Sequence, residues 1–191
     1  DVRELRDAAG KLVIKEMLAV ANQPDGGTVN YVWLNRVTNR VEDKTSLVRK
    51  VGKYMVGVGY YVPRSSAQQA EALLNVALAE ARKSPKAAFA AFNDRKGPYV
   101  REDLYVFAVS LDDARFVAMG VNPALVGTEV GAMKDAAGKP IIAEMIALAK
   151  SKGSGTVDYV WRNPVTNKVE NKHSRIERLD NYLIGVGYYT R

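Results

Sequence analysis

The stretch Gly57-Val58-Gly59-Tyr60-Tyr61 returns unchanged as Gly185-Val186-Gly187-Tyr188-Tyr189. The identity extends outward from these two stretches at a constant offset of 128 residues and without a gap. Residues 1–63 aligned on residues 129–191 share 31 identical positions of 63. Ordered identity over this length indicates an internal duplication, which has to be interpreted before any local pattern.

The offset of 128 residues sets the size of the repeated unit. It is domain-sized and too long for a solenoid repeat. One complete unit is expected over residues 65–191, and residues 1–64 are expected to be the C-terminal half of a preceding unit, because nothing ahead of them corresponds to residues 65–128. The sequence therefore predicts a fragment of a longer tandem protein with a truncated first repeat.

Hydrophobic patterns in the complete unit alternate between helical and extended spacing. Residues 66–82 and 84–92 predict two helices, and residues 140–151, which follow the turn at Gly138, predict a third. Strands are predicted at residues 104–109, 115–119, 156–162, 169–179 and 182–189. This order predicts the α+β fold class with a five-stranded antiparallel sheet.

The charge balance is basic but evenly spread. The net charge is +7, from 28 Lys and Arg against 21 Asp and Glu, and basic and acidic residues are mixed along the whole chain. A nucleic-acid binder is expected to gather its basic residues into one patch. The mixture instead favours a soluble surface, and no nucleic-acid partner is expected.

Several kinds of chemistry are excluded by residue counts. The chain has no cysteine and one histidine, His173, so disulfides, thiolate nucleophiles and a clustered His/Cys metal site are not expected. No nucleophile, base and orienting residue form a recognisable set.

No apolar run approaches the ~18 residues of a membrane span. If the protein is exported, its targeting or anchoring segment has been removed, and membrane contact is expected only through such an anchor.

The motifs of the complete unit resemble the single Cache sensor domain. They are Leu104-Tyr105-Val106-Phe107, Ala118-Met119-Gly120-Val121-Asn122-Pro123-Ala124-Leu125-Val126-Gly127, Lys134-Asp135-Ala136-Ala137-Gly138-Lys139-Pro140, Gly155–Thr166 with Lys172, and Gly185–Tyr189. The resemblance implies a PAS-like fold with a long N-terminal helix packed on the sheet. It also implies a periplasmic or other extracytoplasmic sensor, as in chemoreceptors, that binds a small metabolite without catalysis or a cofactor. A short carboxylate in a pocket over the sheet, with signalling by conformational change, is the expected function.

The candidate ligand-binding residues centre on Lys172. A lysine in a half-closed pocket can pair with a carboxylate, and a tyrosine hydroxyl can add a hydrogen bond. The remaining candidates in this copy are Tyr159, Trp161, Tyr105, Met119 and Arg175. Met119 and Arg175 occupy positions where family members often carry histidine and an aromatic residue. The alternatives are a solvated strand lysine for Lys172, core packing for the aromatic residues, and an exposed strand position for Arg175.

The first copy repeats the centre of this set as Lys44, Tyr31 and Trp33. Its last strand, residues 54–61, is expected to have an unpaired edge, which favours association. We expect a homodimer, or a domain swap that borrows the hairpin at residues 101–119.

The alternative function is a non-catalytic tandem scaffold or protein-interaction module that binds no small ligand.

Overall fold

The computed structural model describes residues 1–190, and the chain divides into two compact units, Asp1–Pro63 and a second unit that begins at Arg64. This boundary lies one residue before the boundary expected from the repeat. The first unit contains helix α1 (Val13–Ala21) and strands β1 (Gly27–Asn35), β2 (Arg40–Val51) and β3 (Tyr54–Tyr61). The strands form an antiparallel sheet in the order β1-β2-β3. Helix α1 packs on one face of this sheet.

The second unit follows the predicted order of elements. Its helices are α2 (Ala67–Lys83), α3 (Pro85–Phe92) and α4 (Ile141–Lys152). Its strands are β4 (Val100–Arg101), β5 (Leu104–Ser110), β6 (Phe116–Met119), β7 (Ser154–Arg162), β8 (Val169–Leu179) and β9 (Tyr182–Thr190). Helix α2 begins at a capping box, in which Ser66 and Gln69 bond to each other's backbone N–H groups.

The sheet of the second unit has the strand order β6-β5-β9-β8-β7, and the pairings are antiparallel. The predicted α+β class and the five principal strands are therefore confirmed. The two-residue strand β4 also pairs with β5 and is an addition that the sequence patterns did not indicate. Because β5 is distant in sequence from β9, the centre of the sheet joins the two halves of the repeat unit.

Each face of this sheet carries its own hydrophobic core. Helices α2 and α3 cover one face, where Ile184 and Val186 of β9 are buried. Helix α4 covers the other face, where Tyr105, Phe107 and Ile176 are buried. Side chains of successive strand residues point to opposite faces. The face under α4 also carries the polar and aromatic residues that the sequence analysis selected.

The turn before α4 is organised by the carboxylate of Asp135. It accepts hydrogen bonds from the backbone N–H groups of Ala137, Lys139 and Val160, at 2.9, 2.8 and 3.0 Å. The bond from Val160 connects the turn to β7, and together these bonds lower the pKa of Asp135. Asp7 makes the same three kinds of bond in the first unit.

Replacing Asp135 by alanine should destabilise the second unit, because three backbone N–H groups lose their acceptor. We expect its unfolding midpoint to fall by several degrees at pH 7. The lowered pKa means that the wild-type contribution is present above the unfolded value of about 3.9 and is lost as pH falls through the folded value. Thermal unfolding of both proteins between pH 7 and pH 2.5 measures this, and their midpoints should converge at the acid end.

Asp7→Ala provides the matched control, since it removes the equivalent bonds from the first unit. Its effect should be confined to residues 1–63, as followed by hydrogen exchange of each unit. A midpoint difference between wild type and Asp135→Ala that stays constant over the whole pH range would contradict the assigned role of the ionised carboxylate.

Candidate ligand-binding site

Three residues on neighbouring strands form one row across the sheet. Tyr159 on β7 lies opposite Lys172 on β8, and Lys172 lies opposite Tyr189 on β9. Directly paired residues project to the same face, so the three side chains are neighbours. The structure thereby brings Lys172 and Tyr159 together, as the sequence analysis expected, and adds Tyr189.

Lys172 is fully buried, with 0% of its surface exposed, and its Nζ atom has no hydrogen-bond partner. The Nζ atom lies 3.8 Å from the centre of the Tyr105 ring and 4.7 Å from that of Tyr189, within the range of cation–π contacts. Burial lowers the pKa of Lys172 well below its usual value. The alternative of a solvated strand lysine is therefore wrong.

Gly187 makes room for the lysine side chain. A Cβ atom at this position would lie against Lys172 Cε and Ser174 Oγ, closer than atoms can approach. At Gly185 a Cβ would collide with the ring of Phe107 from β5. Side chains of adjacent strands occupy the space that the glycines leave.

The tyrosines of the site are hydrogen-bonded phenols. Tyr189 donates to the backbone oxygen of Arg162 at 3.0 Å, and its oxygen lies 3.4 Å from the hydroxyl of Tyr105. The hydroxyl of Tyr159 lies 2.9 Å from Ser174 Oγ. Burial raises the pKa of Tyr105, Tyr159 and Tyr189. These groups therefore keep their protons at neutral pH, and Tyr189 already donates its proton to Arg162.

An apolar cavity of about 20 Å³ lies beside this polar row, which is space for about one water molecule. Its lining combines residues of both halves of the unit: Tyr105, Phe107, Phe116, Met119, Met133, Ile141, Ile142, Met145, Tyr159 and Trp161. Three of these residues are methionines, whose unbranched side chains repack readily. The cavity can therefore enlarge for a small molecule by movement of side chains.

Asp103 is a second buried charge close to the site, and no sequence signal pointed to it. It is 0% exposed, and one of its oxygens accepts a hydrogen bond from the backbone N–H of Ser65 at 3.0 Å. Its other oxygen has no hydrogen-bond partner. The negative charge of Asp103 opposes part of the lowering of the Lys172 pKa. Asp103 therefore interacts with two parts of the unit. Its charge affects the pKa of Lys172, and its carboxylate holds the backbone N–H of Ser65, the residue before the N-cap of α2.

The structure does not bring Arg175 to this site. Arg175 is exposed, and it lies three positions after Lys172 on β8, so its side chain projects to the opposite face. The aromatic candidates do lie at the site. Tyr105 and Met119 are buried in the cavity wall, while Tyr159 and Trp161 are half-buried, with ring centres 6.1 Å apart.

The first unit repeats the polar row in a more open form. Tyr31, Lys44 and Tyr61 are paired across β1, β2 and β3, and the ring centres of Tyr31 and Trp33 lie 5.9 Å apart. Lys44 is half-buried and donates to the Tyr61 hydroxyl at 3.5 Å. This unit, as described here, holds the lysine and the aromatic pair without counterparts of Tyr105, Met119 or Asp103.

Fold and site together show a sheet between two helical layers, with a buried lysine and an apolar cavity under one of them. The chain belongs to the Single Cache domain 2 family, whose sequence model matches residues 1–75 and 65–191. The family predicted from the motifs is therefore confirmed.

One curated relative is the methyl-accepting chemotaxis protein McpP of Pseudomonas putida KT2440. It is 35% identical over 80 residues, which are 41% of this chain and 15% of that protein. The matched region is thus a small part of the whole receptor.

Solved structures show the same fold. A periplasmic sensor domain of a chemotaxis protein is 26% identical, with a TM-score of 0.51 over 65% of this chain and 90% of that chain. A methyl-accepting chemotaxis protein from Vibrio parahaemolyticus is 22% identical, with a TM-score of 0.55 over 64% and 86%. A Cache chemosensory domain described in terms of carboxylic acid recognition is 24% identical, with a TM-score of 0.51 over 65% and 88%.

The expected location outside the cytoplasm agrees with these relatives, of which one is a periplasmic sensor domain. Among residues 1–190, no helix is both long enough and apolar enough to cross a bilayer.

Proposed function

We propose that the second unit is a periplasmic sensor module that binds a short carboxylate and catalyses no reaction. The observation that supports this most is the fully buried Lys172 amine with no hydrogen-bond partner, set between two tyrosine rings. An unpaired buried charge is unfavourable, and an ionised partner with hydrogen bonds offsets that cost. A carboxylate is the matching anion, because it accepts from an ammonium and from phenols at once.

The cavity restricts the ligand to a small molecule. A space of about 20 Å³ holds about one water-sized group, so its methionines must move to admit even a small ligand. A carboxylate group would pair with Lys172, and a tail of one to three carbons would enter the apolar space beside Met119 and Trp161. Acetate, propionate, pyruvate and lactate have this form.

Asp103 offers a route from ligand to conformational change. A carboxylate bound to Lys172 would compete with Asp103 for the lysine charge and would repel the Asp103 carboxylate. Since Asp103 accepts the N–H of Ser65, next to the cap residue Ser66, a shift of Asp103 would alter the start of α2. In the whole protein, helix α2 would pass this signal to the output.

Thermal unfolding of the full chain against a panel of these acids, with amino acids beside them, tests the proposal. A ligand at 100 times its dissociation constant stabilises by about 2.7 kcal/mol, which moves the midpoint of a domain this size by several degrees. We expect such a shift for at least one short carboxylate. A panel without any shift would contradict the proposal and favour the scaffold function.

Binding of the carboxylate should be accompanied by proton uptake. The pKa of Lys172 is lowered in the free protein, and a bound anion raises it again. At a pH between the pKa of Lys172 in the free protein and its pKa in the complex, the complex holds more protons than the free protein. The affinity for the carboxylate should therefore fall as pH rises, by at most tenfold per pH unit. Calorimetric titrations at several pH values from 7 to 9, each in two buffers that differ in ionisation enthalpy, measure the uptake.

The control for this measurement is Lys44→Met, which keeps the Lys172 amine and should show the same difference between the two buffers as the wild-type protein. Equal observed heats in the two buffers for the wild-type protein would show that no proton is taken up. That result would contradict the binding of an anion to a neutralised Lys172.

A further inference from the structure

Lys172 has the surroundings of an uncharged amine. Its side chain is fully buried, and within the described part of the chain its Nζ atom has no hydrogen-bond partner. An ammonium group in such a place would lose its water without gaining acceptors, so the group tends to give up its proton instead. Burial lowers the pKa of Lys172 accordingly. An uncharged lysine amine has a free electron pair and is a nucleophile.

The neighbours of Lys172 that favour a positive charge do not outweigh burial. The centres of the Tyr105 and Tyr189 rings lie 3.8 and 4.7 Å from Nζ, and ring faces attract a cation. Asp103 also attracts a positive charge, but its effect on the pKa of Lys172 is smaller than that of burial. Lys172 is therefore uncharged for a far larger fraction of the time than an exposed lysine is.

The amine lies beside an apolar space and a pair of hydroxyl groups. The ring of Tyr105 contacts Nζ and also lines the cavity of about 20 Å³, as does Tyr159. The Tyr159 hydroxyl lies 2.9 Å from Ser174 Oγ, and two hydroxyls that share one hydrogen bond keep a second proton to donate. Ser174 Oγ and Lys172 Cε lie against the same point over Gly187. A proton donor is therefore close to the amine.

We propose that Lys172 binds a short 2-oxo acid covalently and reversibly, as an imine. The Nζ electron pair attacks the carbonyl carbon, and one amine proton passes to the carbonyl oxygen through the hydroxyl pair of Tyr159 and Ser174. The resulting hydroxyl group takes the second amine proton and leaves as water, and a C=N double bond remains. Addition of water reverses these steps and releases the acid unchanged, so no reaction is turned over.

This binding mode rests on the proposed function, because it uses the same pocket and narrows the ligand to acids with a carbonyl group beside the carboxylate. When the imine nitrogen of such an adduct is protonated, it lies next to the ligand's own carboxylate. An aldehyde would supply no such anion in this buried place. The methyl group of pyruvate would enter the cavity, where Met119, Met133 and Met145 can repack. Lactate has nearly the same size and charge but no carbonyl group, so it can bind only non-covalently.

The test treats the full chain with pyruvate and cyanoborohydride at pH 7 and maps the modified lysines by mass spectrometry of peptides. Cyanoborohydride reduces an imine to a stable amine, which adds the mass of pyruvic acid less one oxygen atom. An exposed lysine, with a pKa of about 10.4, is uncharged in about one molecule in 2,500 at pH 7. We expect Lys172 to be modified at least about 100-fold faster than any exposed lysine, because its amine is uncharged more often and the pocket holds the acid beside it.

Lys44 is the matched control within the same chain, because it is half-buried and donates to the Tyr61 hydroxyl. It should be modified no faster than the exposed lysines, and lactate in place of pyruvate should modify no lysine. Equal shifts of the unfolding midpoint with pyruvate and lactate, without fast modification of Lys172, would overturn the imine and leave the proposed function standing. A panel of acids without any midpoint shift would overturn the proposed function and the imine with it.

Discussion

Replacing Lys172 by methionine is expected to reduce the affinity for the carboxylate by at least about 30-fold. Removing one partner of a buried, hydrogen-bonded charge pair costs about 2–5 kcal/mol, and each 1.4 kcal/mol corresponds to a factor of ten. Methionine has nearly the same length and keeps the apolar stem over Gly187, so the loss is attributable to the ammonium group. Calorimetric titration with the acid that gives the largest thermal shift measures the effect.

Lys44→Met is the matched control, because Lys44 holds the same position in the first unit. It should leave the affinity of the second unit unchanged. Lys172→Met leaves the buried Asp103 carboxylate without its basic neighbour, which destabilises the fold. A double variant that also carries Asp103→Asn removes this carboxylate, so its remaining loss of affinity is attributable to the missing amine and not to unfolding. Unchanged affinity in a folded Lys172 variant would remove Lys172 from the site and with it the main support for the proposed function.

The second large effect is expected from Gly187→Ala. The added methyl group would occupy the space of Lys172 Cε and Ser174 Oγ, so the lysine stem must leave its position between the rings of Tyr105 and Tyr189. Overpacking of this kind typically costs 1–3 kcal/mol of stability. We expect a lower unfolding midpoint and at least a tenfold weaker affinity, because the displaced ammonium no longer faces the ligand.

Gly59→Ala makes the equivalent change beside Lys44, where the added Cβ would lie 2.6 Å from Ser46 Oγ and 2.8 Å from Lys44 Cε. It should destabilise the first unit and leave carboxylate binding intact. Thermal unfolding and titration of both variants distinguish the two units. If Gly187→Ala bound the ligand as tightly as the wild type, the position of the lysine stem over Gly187 would have no part in recognition.

One misplaced candidate could have been avoided from the sequence. Arg175 lies an odd number of positions after Lys172 on a single strand, and side chains alternate along a strand with a period of two. The same rule separates the two tyrosines of the repeated motif, since Tyr189 lies in the row with Lys172 and Tyr188 packs against the core under α2 and α3. A stricter use of the period would have replaced Arg175 by Ser174 or Ile176.

The sequence by itself determined the repeat, the order of helices and strands, and the family, because these depend on local periodicity and on residues in a fixed order. Only the tertiary structure decided that Lys172 is buried without a hydrogen bond and that Asp103 lies near it. It also decided that Gly187 leaves space for a lysine rather than for a helix. The reason is that Asp103 and Tyr105 come from one part of the chain and Lys172 comes from another. The pairing of β5 with β9 joins these two parts and creates the buried environment of Lys172.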